Sequence, residues 1–154
     1  MKSLTQHIQE ALKVSSSSKV NVQEYNYHPK TRKELKELVE KLIKERGNNA
    51  DLNDIDTSKM TDMTYLFDGS YFNGDISKWD VSNVENMVAM FYNSKFNGDI
   101  SKWDVSSVKN MYEMFAHSEF NGDISNWDVS NVTDMTHMFY ECPLKNNPPK
   151  WWHN

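Results

Sequence analysis

The chain has 154 residues, 38% of them hydrophobic, and a formal net charge of −5. Residues 1–50 hold ten Lys or Arg against six Asp or Glu, whereas residues 51–142 hold five against sixteen. The acidic middle argues against nucleic-acid binding, the single cysteine excludes an intrachain disulfide, and the absence of a long apolar run excludes a membrane span.

The first predicted element is an amphipathic helix over residues 3–13. It places four apolar residues on one helical face: Leu4, Ile8, Ala11 and Leu12. A polar run of four serines comes next, at residues 15–18, and has the composition of a linker. We therefore treat residues 1–18 as an N-terminal segment separate from the rest of the chain.

Residues 19–50 predict a cap made of one strand and one helix. Residues 20–27 alternate imperfectly between apolar and polar side chains, which predicts a strand. Residues 31–46 predict a helix, because Thr31 and Glu34 have the spacing of a capping box and apolar residues recur at helical spacing behind them. Together with the start of the next segment, these elements predict a βαβ-type cap.

A 24-residue unit is then repeated along residues 51–143. The string F-N-G-D-I-S-[KN]-W-D-V-S begins at Phe72, Phe96 and Phe120, and a degenerate copy precedes the first of these. Self-similarity at this period is typical of units that bury their apolar faces only by stacking on their neighbours. About four stacked repeats are expected.

Each repeat is expected to contain a short strand and a short helix. The first half has the apolar spacing of the strand in a leucine-rich repeat: Ile76, Trp79, Val81 and Val84. The second half has apolar residues on one helical face: Val84, Met87, Met90 and Phe91. Asn-Gly pairs, which tolerate positive φ, are expected to return the chain. The predicted fold is an α/β, right-handed leucine-rich-repeat-like solenoid, closed at residues 144–154 by two prolines and a Trp pair.

The string F-N-G-D-I-S-K-W-D-V-S-N-V, followed by N-M-x-x-M-F, resembles the repeat of the BspA-like leucine-rich surface protein family. The resemblance covers about residues 50–143. It implies a leucine-rich-repeat-like solenoid and, for the surface members, adhesion or protein binding. It implies no catalytic residues. The signal peptide, lipobox cysteine and wall anchor of the surface members have no counterpart in this sequence.

The N-terminal residues 1–11 are similar to the capsid-targeting leaders of internal proteins in large tailed phages. Those leaders are cut after a hydrophobic-x-Glu triplet, and Ile8, Gln9 and Glu10 fit that pattern. An amphipathic helix that docks on the cap is the alternative, and it is favoured. Without a signal peptide, we expect a cytoplasmic or virion-associated protein rather than a secreted one.

Trp79, Trp103 and Trp127 form a ladder that is either buried core or a platform on which sugars stack. The strand spacing turns these rings inward, so core is favoured. The repeated methionines are likewise expected to fill the core rather than to bind a metal through their thioethers: Met87, Met90, Met111, Met114, Met135 and Met138.

The residues between the inward positions form a candidate partner-binding face. It takes three equivalent positions from each repeat: Lys78, Asp80, Ser82, Lys102, Asp104, Ser106, Asn126, Asp128 and Ser130. Stacked carboxylates repel one another unless they accept hydrogen bonds or share a cation. A second carboxylate column lies beside the Asn-Gly pairs: Asp75, Asp99 and Asp123. Turn capping and calcium binding are the alternatives for both columns, and the lack of a D-x-D-x-D-G loop favours capping.

The sequence offers no set of residues for catalysis. No nucleophile with a base, Gly-rich phosphate loop or paired metal ligands can be assembled, and Cys142 stands where Ser94 and Ser118 predict a small turn residue. We therefore expect a non-enzymatic protein-interaction module that presents a repetitive acidic face to a protein partner and needs no cofactor. A phage or phage-like structural protein with an N-terminal targeting leader is the alternative. The sequence leaves the oligomeric state open.

Overall fold

The computed structural model describes residues 1–8 and 22–153. The helix α1 spans Arg32–Arg46, a 3₁₀ helix spans Pro143–Lys145, and residues 4–8 are also helical. The end of the predicted first helix, the serine linker and the start of the predicted strand lie outside the described residues. Within residues 4–8, Leu4 and Ile8 are exposed, so the apolar face of this helix is not docked there.

The helix α1 begins and ends as its sequence predicts. The Thr31 hydroxyl accepts a hydrogen bond from Glu34 N at 3.1 Å, and the Glu34 carboxylate accepts one from Lys30 N at 2.7 Å. At the other end Gly47 N donates to Ile43 O at 2.8 Å. The helix buries one apolar stripe: Leu35, Val39 and Leu42. The predicted helix over residues 31–46 is therefore confirmed.

The predicted strand-plus-helix solenoid and its βαβ cap are wrong. Residues 47–142 contain turns, bends and single parallel bridges, and no strand or helix. Bridges join equivalent residues of neighbouring repeats: Asp51–Asp75, Asp62–Asn86, Asn86–Asn110 and Asn110–Asp134. Where the cap was expected to contribute a strand, a single bridge joins Tyr27 to Ile55. The repeats are thus built from irregular backbone.

Local hydrogen bonds explain why neither a strand nor a helix forms in the repeats. In the first half, an Asp side chain accepts the N–H two residues ahead, as Asp75 does from Ser77 N at 2.9 Å, and such turns interrupt extended backbone. In the second half, left-handed residues interrupt a right-handed helix, as at Ala89 with φ 50° and Asn93 with φ 50°. Leucine-rich spacing alone does not reveal either feature.

Successive repeats nevertheless lie on one another in register. Alternate N–H groups of one repeat, which we call the ladder amides, donate to carbonyls of the next: Met63, Tyr65, Phe67 and Gly69 to Asn86, Val88, Met90 and Tyr92, at 2.8–3.0 Å. The same four bonds recur between the second and third repeats and between the third and fourth. The intervening N–H groups close turns within their own repeat, as Leu66 N does to Met63 O. Every ladder amide therefore points toward the C-terminal end of the stack.

Equivalent side chains form continuous columns in the core. Trp79, Trp103 and Trp127 are each only 4% exposed, which confirms the core interpretation over a sugar platform. Each indole N–H donates to a backbone carbonyl 27 residues earlier, as Trp103 Nε1 does to Ile76 O at 3.1 Å. A second column stacks Phe67, Phe91, Phe115 and Phe139. Five of the six repeat methionines are fully buried, and Met135 is partly buried.

The Asn-Gly pairs serve close packing rather than positive φ. Among the described glycines, positive φ occurs at Gly47 and Gly69, not in the Asn-Gly pairs. A Cβ placed on Gly98 would lie 2.7 Å from the ring of Phe96 and 3.0 Å from Gly74 O. Glycine is therefore needed because the ring of the preceding phenylalanine covers the backbone. The prediction that these pairs return the chain through positive φ is therefore wrong.

Candidate functional site

The nine residues of the candidate face all reach the surface. Asp80, Asp104 and Asp128 are exposed, as are Lys78, Lys102, Asn126 and Ser130, whereas Ser82 and Ser106 are half-buried. Because the repeats stack in register, equivalent residues follow one another in columns. Asp104 and Asp128 are close enough for the charge of one to oppose ionisation of the other.

The carboxylates of this face carry negative charge and also stabilise turns. Asp104 Oδ1 accepts hydrogen bonds from Ser106 N at 3.1 Å and Ser106 Oγ at 2.5 Å. Asp80 makes the same pair of bonds with Ser82, and Asp128 accepts from Ser130 N at 3.0 Å. These donors hold the pKa values of Asp104 and Asp128 below the usual range of a carboxyl group. Asp104 and Asp128 thus stay ionised at neutral pH.

The second carboxylate column has the same local geometry. Asp75, Asp99 and Asp123 each accept hydrogen bonds from the N–H and hydroxyl of the serine two residues ahead. The pKa of Asp99 is lowered chiefly by Ser101 and, to a smaller extent, by the charge of Lys102. Within the part of the chain that the structure describes, no group of three or more His, Cys, Asp or Glu could hold a metal ion. The geometry is that of turn capping and gives calcium no support.

Sequence reasoning missed a second, variable surface. Rings from neighbouring repeats contact one another along the ladder: His117 lies 5.3 Å from Tyr92 and 5.2 Å from Tyr140, measured between ring centroids. His137 continues this cluster toward the last repeat, 5.7 Å from Tyr140. The signal was available, since these positions differ between copies while the Asp and Ser positions are almost constant.

The N-terminal end of the stack is covered by α1. Arg32 Nε donates to Thr64 O at 2.6 Å, and Lys36 Nζ donates to Leu66 O at 2.8 Å. In the following repeats, the equivalent carbonyls accept from ladder amides. The two cationic side chains therefore replace the amides of a preceding repeat. Arg46 adds a bidentate contact to Asp54, at 2.9 and 3.0 Å, which lowers the pKa of that carboxyl group.

The C-terminal end is covered mainly by apolar side chains. Leu144 is buried one repeat length after Phe120, and Trp151 Nε1 donates to Ile124 O at 2.9 Å. Trp152 lies 4.8 Å from Phe139, edge to face, and so extends the phenylalanine column. The apolar columns are thus continued past the fourth repeat.

Residues 33–152 match the family model described as Mycoplasma protein of unknown function, DUF285. The chain belongs to this family. No curated protein and no solved structure gives a significant match. The DUF285 match begins inside α1 and ends at Trp152, so it takes in both covered ends as well as the repeats. No helix in the described residues of this DUF285 member is long and apolar enough to cross a bilayer.

Proposed function

We propose that this DUF285 protein is a non-enzymatic interaction module that presents its repeated acidic face to a protein partner. The observation that carries the proposal is the set of carboxylates held in columns on exposed turns. Fixed charges at a regular spacing favour a partner with complementary cationic groups and speed its association. The resemblance of the repeats to BspA-like surface proteins, some of which bind proteins, points the same way.

The titratable groups support binding rather than catalysis. Serine donors lower the pKa of Asp104 and Asp128, which keeps these groups charged instead of poised to exchange a proton near neutral pH. Cys142, the only thiol in the chain, is buried, and burial raises its pKa, so its nucleophilic form is disfavoured. Its N–H closes a turn to Phe139 O, as Ser118 N does to Phe115 O, in agreement with the predicted small turn residue.

The face can be tested by removing its charge while keeping its turns. Asparagine retains the Oδ1 acceptor that each aspartate uses, so the triple variant Asp80→Asn, Asp104→Asn and Asp128→Asn should fold normally. The matched control is Asp75→Asn, Asp99→Asn and Asp123→Asn, which changes the same charge on the same kind of turn. Immobilised wild-type protein is used to capture partners from a cell extract, and captured proteins are identified by mass spectrometry.

The expected result is that the first triple variant loses a partner that the second retains. Salt should weaken the wild-type interaction, since exposed charges are screened over about 10 Å at 0.1 M ionic strength. Equal capture by all three proteins, or equal loss in both triple variants, would show that this face is not the binding surface.

The alternative of a phage-like structural protein rests on residues 1–11. Of the cleavage triplet, Gln9 and Glu10 lie outside the described residues, as does Ala11, the expected new terminus. The intact mass of the native protein distinguishes the two proposals. A native chain that starts at Ala11 would support the processed leader, whereas one that starts at Met1 or Lys2 would remove it.

A further inference from the structure

The ladder amides of the fourth repeat differ from those of the first three repeats. Within residues 1–8 and 22–153, the N–H groups at four alternate positions donate no hydrogen bond: Met135, His137, Phe139 and Glu141. The intervening N–H groups are satisfied as in every other repeat, for example Tyr140 N to His137 O at 3.0 Å. His137 and Glu141 also keep the left-handed backbone of their equivalents, with φ of 57° and 49°. The backbone at this edge therefore keeps the conformation of the earlier repeats, whose ladder amides are hydrogen-bonded.

The apolar surface beside this edge is also less covered than in the repeats before it. Val129, Val132 and Met135 are only partly buried, whereas their equivalents one repeat earlier are fully buried. A cavity of about 280 Å³ opens next to the amides and is lined by His137, Phe139, Tyr140, Lys145, Asn146 and Trp152. Tyr140 is 46% exposed there. An occupant would thus gain apolar contact as well as hydrogen bonds.

The interior of the stack shows what these amides accept. Each of the three preceding sets donates to four backbone carbonyls of an irregular segment of consecutive turns with the pattern N/D-M-x-x-M-F. Lys145 Nζ lies 5.7 Å from the centroid of the Tyr140 ring at the mouth of the cavity. Donors without acceptors at an open edge are the usual basis for adding a further peptide segment.

We propose that this end binds a segment of a partner polypeptide that adopts the turn conformation of a repeat, so that its carbonyls continue the ladder and its apolar side chain enters the cavity. A second copy of this chain is a poor occupant for two reasons. Two such ends would oppose donors to donors, and the acceptor end already binds Arg32 and Lys36 of α1. The proposal shares with the proposed function only the assumption that the ligand is a protein, since it uses a different surface.

The test uses the full chain and a synthetic peptide with the sequence of residues 106–118, acetylated and amidated at its ends. This segment supplies the carbonyls that accept from the second repeat, at residues 110–116. The peptide is titrated into ¹⁵N-labelled protein, and amide shifts and exchange rates are followed by NMR. The expected result is saturable binding that shifts and protects the amides at residues 135, 137, 139 and 141, with little change at residues 63–69. A scrambled peptide should leave all these amides unchanged.

Two surface tyrosines give a matched pair of variants. Tyr140→Ala removes a wall of the cavity and should weaken peptide binding about tenfold. Tyr71→Ala removes a 72% exposed ring elsewhere and should leave the affinity within about twofold. The triple variant Asp80→Asn, Asp104→Asn and Asp128→Asn should bind the peptide normally, which separates this proposal from the acidic face.

Three outcomes would overturn the proposal. The first is binding of the scrambled peptide with equal affinity, and the second is saturable binding that shifts amides other than the four at this edge. The third is concentration-dependent self-association, measured by sedimentation, that protects the same four amides without any peptide. That last result would assign the edge to a second copy of the chain.

Discussion

The two ends of the stack are covered in different ways. At the N-terminal end, α1 packs an apolar stripe on the first repeat and adds Arg32 and Lys36 as donors to open carbonyls. At the C-terminal end, Leu144, Trp151 and Trp152 continue the apolar columns, but the open amides receive no acceptor among the described residues. Both ends shield hydrophobic surface, but among the described residues the side chains that bond ladder groups lie at the N-terminal end.

The difference follows from the direction of the ladder. Because every ladder amide points toward the C-terminal end, the ladder leaves carbonyl groups at one end of the stack and N–H groups at the other. Cationic side chains satisfy acceptors and can be supplied by a basic helix, whereas donors require carbonyls or carboxylates. A stack of this kind therefore needs unlike covers at its two ends.

Truncation of one leucine at each end should show the largest difference between the two covers in their contribution to the free energy of unfolding. Leu42→Ala empties a fully buried site under α1 and should cost about 3 kcal/mol of unfolding free energy. Leu144→Ala, in a site that is 6% exposed, should cost roughly half as much, since the surrounding chain can relax into the space. Urea denaturation of both variants measures this. Equal losses would show that the two covers are energetically equivalent.

Substitution of a glycine in the middle of the stack should destabilise the protein more than substitution of a glycine at a turn. Gly98→Ala forces a methyl group against the Phe96 ring and should cost about 2 kcal/mol. Gly69→Ala meets no atom within 4 Å and carries only the strain of a φ of 64°, so about 1 kcal/mol is expected. Thermal denaturation of the pair decides the order. The packing explanation fails if Gly69→Ala is the more damaging change.

The cationic cover of the acceptor end should contribute a smaller but measurable amount. Lys36→Met keeps the aliphatic stem and removes the donor to Leu66 O, at a cost of about 1 kcal/mol. Lys41→Met is the control, because Lys41 makes only an exposed pair with Glu45 and should change stability by less than about 0.5 kcal/mol. Indistinguishable urea midpoints for the two variants would mean that the Lys36 donor adds no stability to this end.

The turns capped by aspartate should make the stability of the protein depend mildly on pH. The carboxyl pKa values of Asp99, Asp104 and Asp123 are lower in the folded protein, so the folded state binds fewer protons than the unfolded chain. Stability should therefore be constant above the unfolded value of about 3.9 and fall as the pH drops through the lower folded values. Asp104→Asn should reduce this slope, because the turn acceptor remains and the titrating group is gone. Urea midpoints between pH 7 and pH 3 measure it, and a slope unchanged by the substitution would contradict it.

The sequence could predict the parts of the molecule that repeat one local pattern. The helix α1 followed from Thr31 and Glu34, and the buried columns followed from the regular return of tryptophan and methionine. Trp151 was placed by the same spacing, and its indole N–H continues the bonds of the earlier tryptophans. These features depend on contacts between residues close in sequence or on the repeat period alone. Both can be identified in a single sequence.

The conformation inside each repeat could not be predicted from apolar spacing. Ile76, Trp79 and Val81 have the spacing of a leucine-rich strand, but an Asp side chain bonds the backbone on either side of them and breaks the extended run. Left-handed residues such as Ala89 carry no sequence signal comparable to glycine. The direction of the ladder depends on these dihedral angles, so the open donor edge could not be predicted from the sequence either.

Amide hydrogen exchange across the four repeats tests the direction of the ladder most directly. In the free protein, the ladder amides at residues 87–93 and 111–117 should exchange slowly, because each is bonded to the next repeat. Those at residues 135, 137, 139 and 141 should exchange roughly a hundredfold faster, although they have the same local conformation. Equal protection of the last set would mean that its donors are already satisfied and that the stack has no open end.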